Sequence, residues 1–325
     1  EEYGGVGASC FEEALVSEEL GYGCTGISTS LGVNSLAMLP ILIAGSDKQK
    51  AYWLGERAGE QGQFCSYGVT EANAGSNVAG IQTRAEKRGA AYFINGSKTF
   101  ITNASHAHFY TIFAKTDPSA GHRGLTCFIV DRQTPGLSVG KKFDKLGQRA
   151  SDTAEIVFDN VEAPAENIVG ELGQGFYIAM KVFDHSRPGV AAAACGLQRR
   201  ALDESVKYAG EREAFGLPIY QHQAVGHKIA DMAINYEASR LLTWQAAWQV
   251  DAGIFNPRIP AYAKAFAADM ATRAAVDAVQ VFGGYGYMKE YPVEKLLRDV
   301  KIFQIYEGTS EIQRNIIVRE LFRGG

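Results

Sequence analysis

Residues 305–314 read IYEGTSEIQR, which sets a carboxylate, Glu307, between an aromatic ring and a glycine. Ser310 followed by Gln313 forms a capping box that predicts the start of the last helix, so Glu307 stands just outside a helix N-terminus, where the dipole favours anions. An acid at that place is either a charge that caps the helix or a general base. Tyr306 beside it can wall a site, and Gly308 lets the backbone come close to a bound group.

Other stretches also carry reactive or recognising groups. In YGVTEANAGSNVAG, residues 67–80, Thr70, Gly75 and Ser76 offer hydroxyl and backbone N–H donors to an anion or a heterocycle, although an ordinary surface loop reads the same way. In SKTFITNAS, Phe100 and Thr102 are two apart and share one side of a strand, so an aromatic face lies beside a hydroxyl, as a flat ring would need. Core packing explains that pair equally well. AMKVFDHSRPG places Asp184 and Arg187 on one helix face, with Pro188 kinking or ending the helix, and a solvated surface pair is the default reading. REAFG presents Arg212 and Phe215 before a Gly-Leu-Pro turn, QHQAVGH presents His222 and Gln223, and VFGGYGY presents Gly283-Gly284 as a helix cap or a close backbone approach. Gly21-Tyr22-Gly23-Cys24-Thr25-Gly26 fits the dinucleotide fingerprint in letters only. A helix precedes it where a strand is required, so it reads as a helix C-terminal turn.

The elements that must position these groups come in three blocks. Residues 1–63 read as helices: SCFEEALVSEELGYG is amphipathic, and SDKQKAYWLGERAGE opens with a capping box of Ser46 and Gln49. Residues 64–165 carry short runs rich in Phe, Ile, Val and Thr, and Asn95-Gly96 between AAYFI and SKTFIT predicts a tight hairpin. Residues 166–325 return to three-to-four-residue apolar spacing over long segments. Segregated helices and strands indicate the α+β class, with a middle antiparallel β-domain, and exclude an alternating βαβ sheet.

Composition narrows the function classes. A net charge of −4 over 325 residues leaves no basic run to neutralise phosphates, so nucleic acid is not an expected partner. The 5 cysteines are scattered and never in a C-x-x-C pair, so neither a disulfide framework nor a metal site is expected. No run approaches about eighteen consecutive apolar residues, so no membrane span is expected. The N-terminus opens abruptly in a Gly-rich loop, as if trimmed.

Taken together and in order, YGVTE with AGS, FITN, FDHSRP, the R-x-x-FG and HQ elements, VFGGYGY followed by EYPVEKLLRD, and IYEGTSEIQR resemble the acyl-CoA dehydrogenase family, nearest to its short- and medium-chain members. The likeness covers essentially the whole chain. It implies an N-terminal helical domain (here apparently truncated), a middle β-domain, a C-terminal four-helix bundle and FAD bound by residues of sheet and bundle. It also implies a homotetramer built as a dimer of dimers, in which the neighbour's C-terminal domain completes each FAD site.

By this resemblance Tyr67, Val69, Thr70, Gly75 and Ser76 line flavin and thioester, and Phe100, Ile101 and Thr102 flank the isoalloxazine ring. Arg212, Phe215, Gln223, Gln280, Gly283 and Gly284 match positions that hold the FAD tail, with Thr309 and Glu311 at further FAD contacts. Ser76, Asp184, Arg187, Tyr306 and Gly308 match the substrate side, and the segment Ser30 to Pro40 matches the pocket floor. Ala72, Asn77, Phe100 and Ala214 depart from the commonest residues, and Ala214 removes one hydroxyl that often helps bind FAD. Glu307 is the expected base. A minority of members use the helix position held here by Ser186, which cannot do that work. The activity implied is dehydrogenation of a short- or medium-chain acyl-CoA to trans-2-enoyl-CoA, with electrons passed to electron-transferring flavoprotein. The compartment implied is the mitochondrial matrix if eukaryotic, or the cytoplasm if bacterial. Two alternatives stay open: an acyl-CoA oxidase, although the extra C-terminal domain usual there is missing, and a non-catalytic flavoprotein on the same scaffold.

Overall fold

A computed structural model describes residues 2–254 and 256–323. The chain forms two compact units. One holds Thr29–Asp144 and Ala150–Phe183 with the chain's first residues; the other holds Ala8–Ser28, Lys145–Arg149 and the chain from Asp184 onward.

The first unit is built on an 8-stranded sheet. Its strands are β1 (Cys65–Gly68), β2 (Arg84–Arg88), β3 (Ala91–Thr102), β4 (Phe109–Lys115), β5 (Leu125–Asp131), β6 (Leu137–Lys142), β7 (Thr153–Pro164) and β8 (Ile168–Val169). They lie in the order β6-β7-β3-β2-β4-β5-β8, and β1 pairs with β4. The ladders are antiparallel except that β1 and β2 run parallel to β4. Both faces of the central strands are buried, which is why FYTIFAK and LTCFIVD read as continuous apolar runs. Phe109, Phe113 and Ile129 pack on one side with Ile41, Trp53, Ile178 and Val182, while Tyr110, Ile112 and Phe128 pack on the other with Ile94 and Ile156.

Two local expectations meet different outcomes here. The Ser46 and Gln49 box forms as read, each side chain bonding the other's backbone N–H, at 3.3 and 2.9 Å. The turn it caps, Asp47–Gln49, runs on into a helix, Lys50–Glu60, that is wound with i to i+5 hydrogen bonds and buries Trp53 against Phe109 at 5.0 Å. The hairpin expected at Asn95-Gly96 is absent: β3 runs straight through both residues, and the turn falls earlier, at Gly89. Asn95 Oδ1 instead accepts the Asn160 N–H at 2.8 Å, and Gly96, at φ 143°, makes a bulge whose Cβ would collide with Thr83.

The second unit is helical. Its long elements come from α1 (Cys10–Ala44), α3 (Gly175–Glu211), α4 (Gln223–Asp251), α5 (Arg258–Phe282), α6 (Val293–Val300) and α7 (Ser310–Phe322), with α2 (Asp47–Gln49) being the capped turn already described in the first unit. The core is alanine-rich: Ala263, Ala267, Ala271, Ala274 and Ala278 of α5 meet Ala194, Leu197 and Ala201 of α3. Small residues bring backbones together. A Cβ on Gly21 would lie 2.3 Å from the Ala193 carbonyl oxygen, and one on Gly196 would lie 2.0 Å from that of Glu18.

GYGCTG does interrupt the helix: at Cys24 the backbone leaves helical angles, φ −164° and ψ 112°, and two helical segments meet across a kink within α1. Pro188, by contrast, neither ends α3 nor splits it. Helix α1 holds no run of eighteen consecutive apolar residues, although by length and mean hydropathy alone it is apolar enough to cross a membrane, as core helices also can be. Ala37 and Ile41 of this helix lie in the core of the first unit.

Gly21→Ala and Gly196→Ala should each destabilise the protein by about 1–3 kcal/mol through overpacking, while Gly210→Ala, whose Cβ meets nothing within 4 Å, should be neutral or slightly stabilising. Thermal denaturation of the three variants checks the contrast.

Candidate active site

In the second unit Glu307 sits in the loop before α7 with left-handed backbone, φ 52°, followed by Gly308 at φ 86°. A side chain with a Cβ pays roughly 1–2 kcal/mol for that conformation, so the turn needs outside support. Two side chains supply it. Gln313 Nε2 donates to the carbonyl oxygens of Glu307 (3.2 Å) and Gly308 (3.0 Å), and Lys264 Nζ donates to the Gly308 carbonyl at 2.6 Å. The helix start lies one residue before the one expected. Thr309 is the cap, its hydroxyl accepting the Ile312 N–H at 3.2 Å, while the Ser310 hydroxyl donates to Asp269 Oδ1 at 2.9 Å.

Glu307 as a residue keeps partial exposure, but its carboxylate is enclosed. Ser186 Oγ of α3 donates to Glu307 Oε2 at 2.5 Å. Burial raises the Glu307 pKa above the usual carboxylate range, and the Ser186 hydroxyl, Lys264 and Arg187 oppose that rise without cancelling it. Lys264 is 0% exposed; burial pushes its ammonium down to about 8, against the pull of the Glu307 carboxylate. The Asp184–Arg187 pair is a 2.5 Å contact, and Arg187 is buried, so the solvated-surface reading of this pair does not hold. Burial raises Asp184 in spite of its partner and lowers Arg187 in spite of Asp184 and Glu307. Tyr306 packs edge-on against Phe303 at 5.6 Å, and Glu311 lies in the first turn of α7.

A separate cavity of about 430 Å³ in the same unit brings Arg212, Gly283 and Gly284 together with Tyr208, Phe282 and Tyr285. Tyr208 and Phe282 stack at 4.1 Å, and the Arg212 guanidinium lies 5.6 Å from the Tyr285 ring centroid. No heavy atom lies within 4 Å of a Cβ built on either glycine. Gln280, Gln223 and Phe215 do not line this cavity. Gln280 accepts the Gly283 N–H at the end of α5, Gln223 opens α4, and Phe215 crowns the two-residue turn of the hairpin β9 (Glu213–Ala214) and β10 (Leu217–Pro218). Phe215 has φ 54° and is 96% exposed, touching the His222 ring edge-on at 5.8 Å.

In the first unit, Tyr67 and Val69 are buried, Thr70 is half-buried, and Gly75 and Ser76 are exposed. The Thr70 carbonyl accepts the Thr99 N–H at 2.9 Å, which joins this loop to the Phe100 segment. Phe100 is 63% exposed at φ 58°, and a bulge between Lys98 and Ile101 interrupts the simple two-residue alternation. Ile101 is buried in the sheet core, while Thr102 is half-buried. The loop itself hangs on a group that the sequence reading passed over. Glu71 Oε1 meets Lys98 Nζ at 2.7 Å inside the protein, and Glu71 also accepts the N–H groups of Gln82 and Thr83. Burial pushes Glu71 up, but Lys98 and these donors win and hold it below the usual range; burial lowers Lys98 to about 8.

In the first unit an exposed aromatic ring two residues from a half-buried hydroxyl suits a flat ring system, and in the second a cradle of guanidinium, stacked rings and open glycines suits an anionic group. Models of the acyl-CoA dehydrogenase N-terminal, middle and C-terminal domains match residues 1–61, 66–161 and 173–322. The chain belongs to the acyl-CoA dehydrogenase family. It is 47% identical over 325 residues to the probable medium-chain specific acyl-CoA dehydrogenase 2, mitochondrial, of Caenorhabditis briggsae, covering 99% of this chain and 78% of that one. Among solved structures it is similar to the butyryl-CoA dehydrogenase of Megasphaera elsdenii (TM-score 0.96, 42% identity, 99% and 85% of the two chains). It is also similar to a chain in the work on the electron transferring flavoprotein of Acidaminococcus fermentans (TM-score 0.97, 43% identity, 99% and 85%). As an acyl-CoA dehydrogenase family member it is an FAD-dependent oxidoreductase.

Ser186 and Lys264 beside Glu307, and the Glu71–Lys98 pair, are what sequence reasoning missed as supporting groups. The available signal was a lysine on the alanine face of α5, four residues before Ala268 and three after Ala261, where the pattern demands an apolar residue. Removing the Ser186 hydroxyl takes away a bond that holds the Glu307 pKa down. A base works above its pKa and fails as pH falls through it, so in Ser186→Ala the acid limb of the kcat/KM profile should move upward by about one pH unit. A pH–rate series on both proteins measures this.

Proposed function

We propose that this protein oxidises the Cα–Cβ bond of a short- or medium-chain acyl-CoA thioester to the trans-2-enoyl-CoA, with Glu307 taking the α-proton. The observation that carries the reading is the enclosed Glu307 carboxylate, raised above its ordinary pKa by burial and held on a supported left-handed turn. Such a proton is weakly acidic, and burial increases the proton affinity of the carboxylate that must take it. The backbone N–H of Glu307 would donate to the thioester oxygen and stabilise the charge that develops there. Asp184, Arg187, Tyr306, Gly308 and Ser76 would bind and orient the thioester. Bound FAD supplies the acceptor for the hydride that leaves the β-carbon. Arg212, Gly283 and Gly284 would hold its phosphates, with Gln280, Gln223, Phe215, Thr309 and Glu311 at its tail. Tyr67, Val69, Thr70, Gly75, Phe100, Ile101 and Thr102 would meet its ring. The three-part division at residues 63 and 165 belongs to the same proposal.

Anaerobic addition of butyryl-CoA or octanoyl-CoA should bleach the flavin absorbance, and a panel extending to palmitoyl-CoA reads the chain length. Glu307→Gln should retain FAD and fail to bleach; bleaching in that variant would falsify the base assignment. The reduced enzyme should be reoxidised by electron-transferring flavoprotein, whereas rapid reoxidation by air with product present would favour an acyl-CoA oxidase. The compartment proposed is the mitochondrial matrix in a eukaryote and the cytoplasm in a bacterium, which cell fractionation reads directly.

A homotetramer belongs to the proposal too. Phe215 is exposed on a strained hairpin tip, and Ile234, Leu241 and Trp248 form an exposed apolar stripe on α4 at seven-residue spacing. Light scattering should give four times the chain mass of 35.2 kDa; a monomer in solution would refute the assembly.

A further inference from the structure

We propose that Lys264 is a positioning residue for the base: its buried ammonium holds the Gly308 carbonyl, fixes the left-handed Glu307-Gly308 turn, and sets a positive charge at the residue that follows Glu307. This rests on the reading of Glu307 as the base, and the test below separates the failure of each.

Lys264 lies among Ala261, Ala263, Ala265, Ala267 and Ala268 on α5 and is fully buried. Packing alone would be met by a methionine of similar length, and an uncharged side chain would avoid the cost of burying an ammonium. The lysine therefore needs a partner for its charge. Its Nζ gives one of three N–H donors to the Gly308 carbonyl at 2.6 Å, at the second of two successive residues with positive φ. Gln313 bonds the same carbonyl from α7, so the turn is clamped from two helices.

The other charges around it are already engaged. Arg187 of α3 pairs with Asp184. Asp269 of α5 accepts from Gln304 and Ser310 and pairs with Arg314 of α7. Glu311 of α7 lies on the exposed side of the helix start, where the Thr309 hydroxyl bonds it. The Glu307 carboxylate accepts a side-chain hydrogen bond from the Ser186 hydroxyl, and its negative charge opposes the effect of burial on Lys264. One side chain thus fixes the turn that carries the base and favours the charged form that can accept a proton.

The test uses the FAD-loaded enzyme and compares Lys264→Met, which keeps volume without charge, with Lys264→Gln, which keeps a donor without charge. For Lys264→Met the rate of anaerobic bleaching per bound flavin should fall about 100-fold, with KM for the acyl-CoA changed less than about threefold. The pH midpoint of bleaching should rise by about one unit, because the cation at the residue that follows Glu307 is gone. Lys264→Gln should recover about tenfold of the lost rate through its hydrogen bond while its midpoint stays raised. A merely structural lysine would lower Tm and flavin content but leave the rate per flavin and the pH midpoint as in the parent protein, and that result overturns the proposal. Failure of both variants to retain FAD also counts against it. If the parent protein does not bleach, or Glu307→Gln does, the base reading itself fails and the role of Lys264 falls with it, an outcome identified without any Lys264 variant.

Discussion

Taking a carboxylate out of water disfavours its charge, and Glu307 is taken out of water on a turn that side chains with a Cβ adopt only at a cost. The second unit is arranged around that constraint. Helix α3 sends Ser186 to the carboxylate and Arg187 to its neighbourhood, α5 sends Lys264 to the loop carbonyl, and α7 sends Gln313 back to the same loop. These groups oppose the effect of burial without abolishing it, so the acid keeps a raised proton affinity while remaining supported. The alanine-rich packing of α3 and α5 is what lets side chains from separate helices converge over so short a distance.

The first unit solves a related problem with opposite sign. The loop after β1 presents small polar residues such as Gly75 and Ser76, while Val69, Ala74 and Ile81 fasten it into the core of the first unit. Its polar anchor is the enclosed ion pair of Glu71 and Lys98, in which the carboxylate also accepts two backbone N–H groups. Breaking one side of such a pair leaves a buried charge without compensation, typically at about 3–5 kcal/mol. The pair is therefore better understood as a fixture for the loop and for the adjoining Phe100 bulge than as net stabilisation.

Much of this was legible in the residues. Segregated blocks of helix and strand periodicity indicated the α+β class, the Ser46 and Gln49 capping box formed as read, and the glycine-containing motifs fell into place as one family pattern. Local misreadings share a cause. Asn95-Gly96 prefers a tight turn in isolation, but β7 pairs along the whole of β3 and leaves only a bulge. Pro188 weakens a helix in isolation, but α3 runs on through it in the packed protein. Tertiary contacts outweighed local propensity in each case.

The sequence by itself determined the chemistry that is present: a carboxylate between an aromatic ring and a glycine ahead of a helix, a hydroxyl-bearing loop, an arginine before a turn, and paired glycines after a helix. Side-chain type and spacing along one element are sufficient for that. Only the tertiary structure decided which groups act on Glu307. Ser186 lies 121 residues away in the chain and makes a direct hydrogen bond to it, and Lys264 lies 44 residues from the Gly308 carbonyl it holds. Burial, which sets both the direction of the Glu307 shift and the need for a cation nearby, arises from how helices pack, and no local pattern of residue types encodes it.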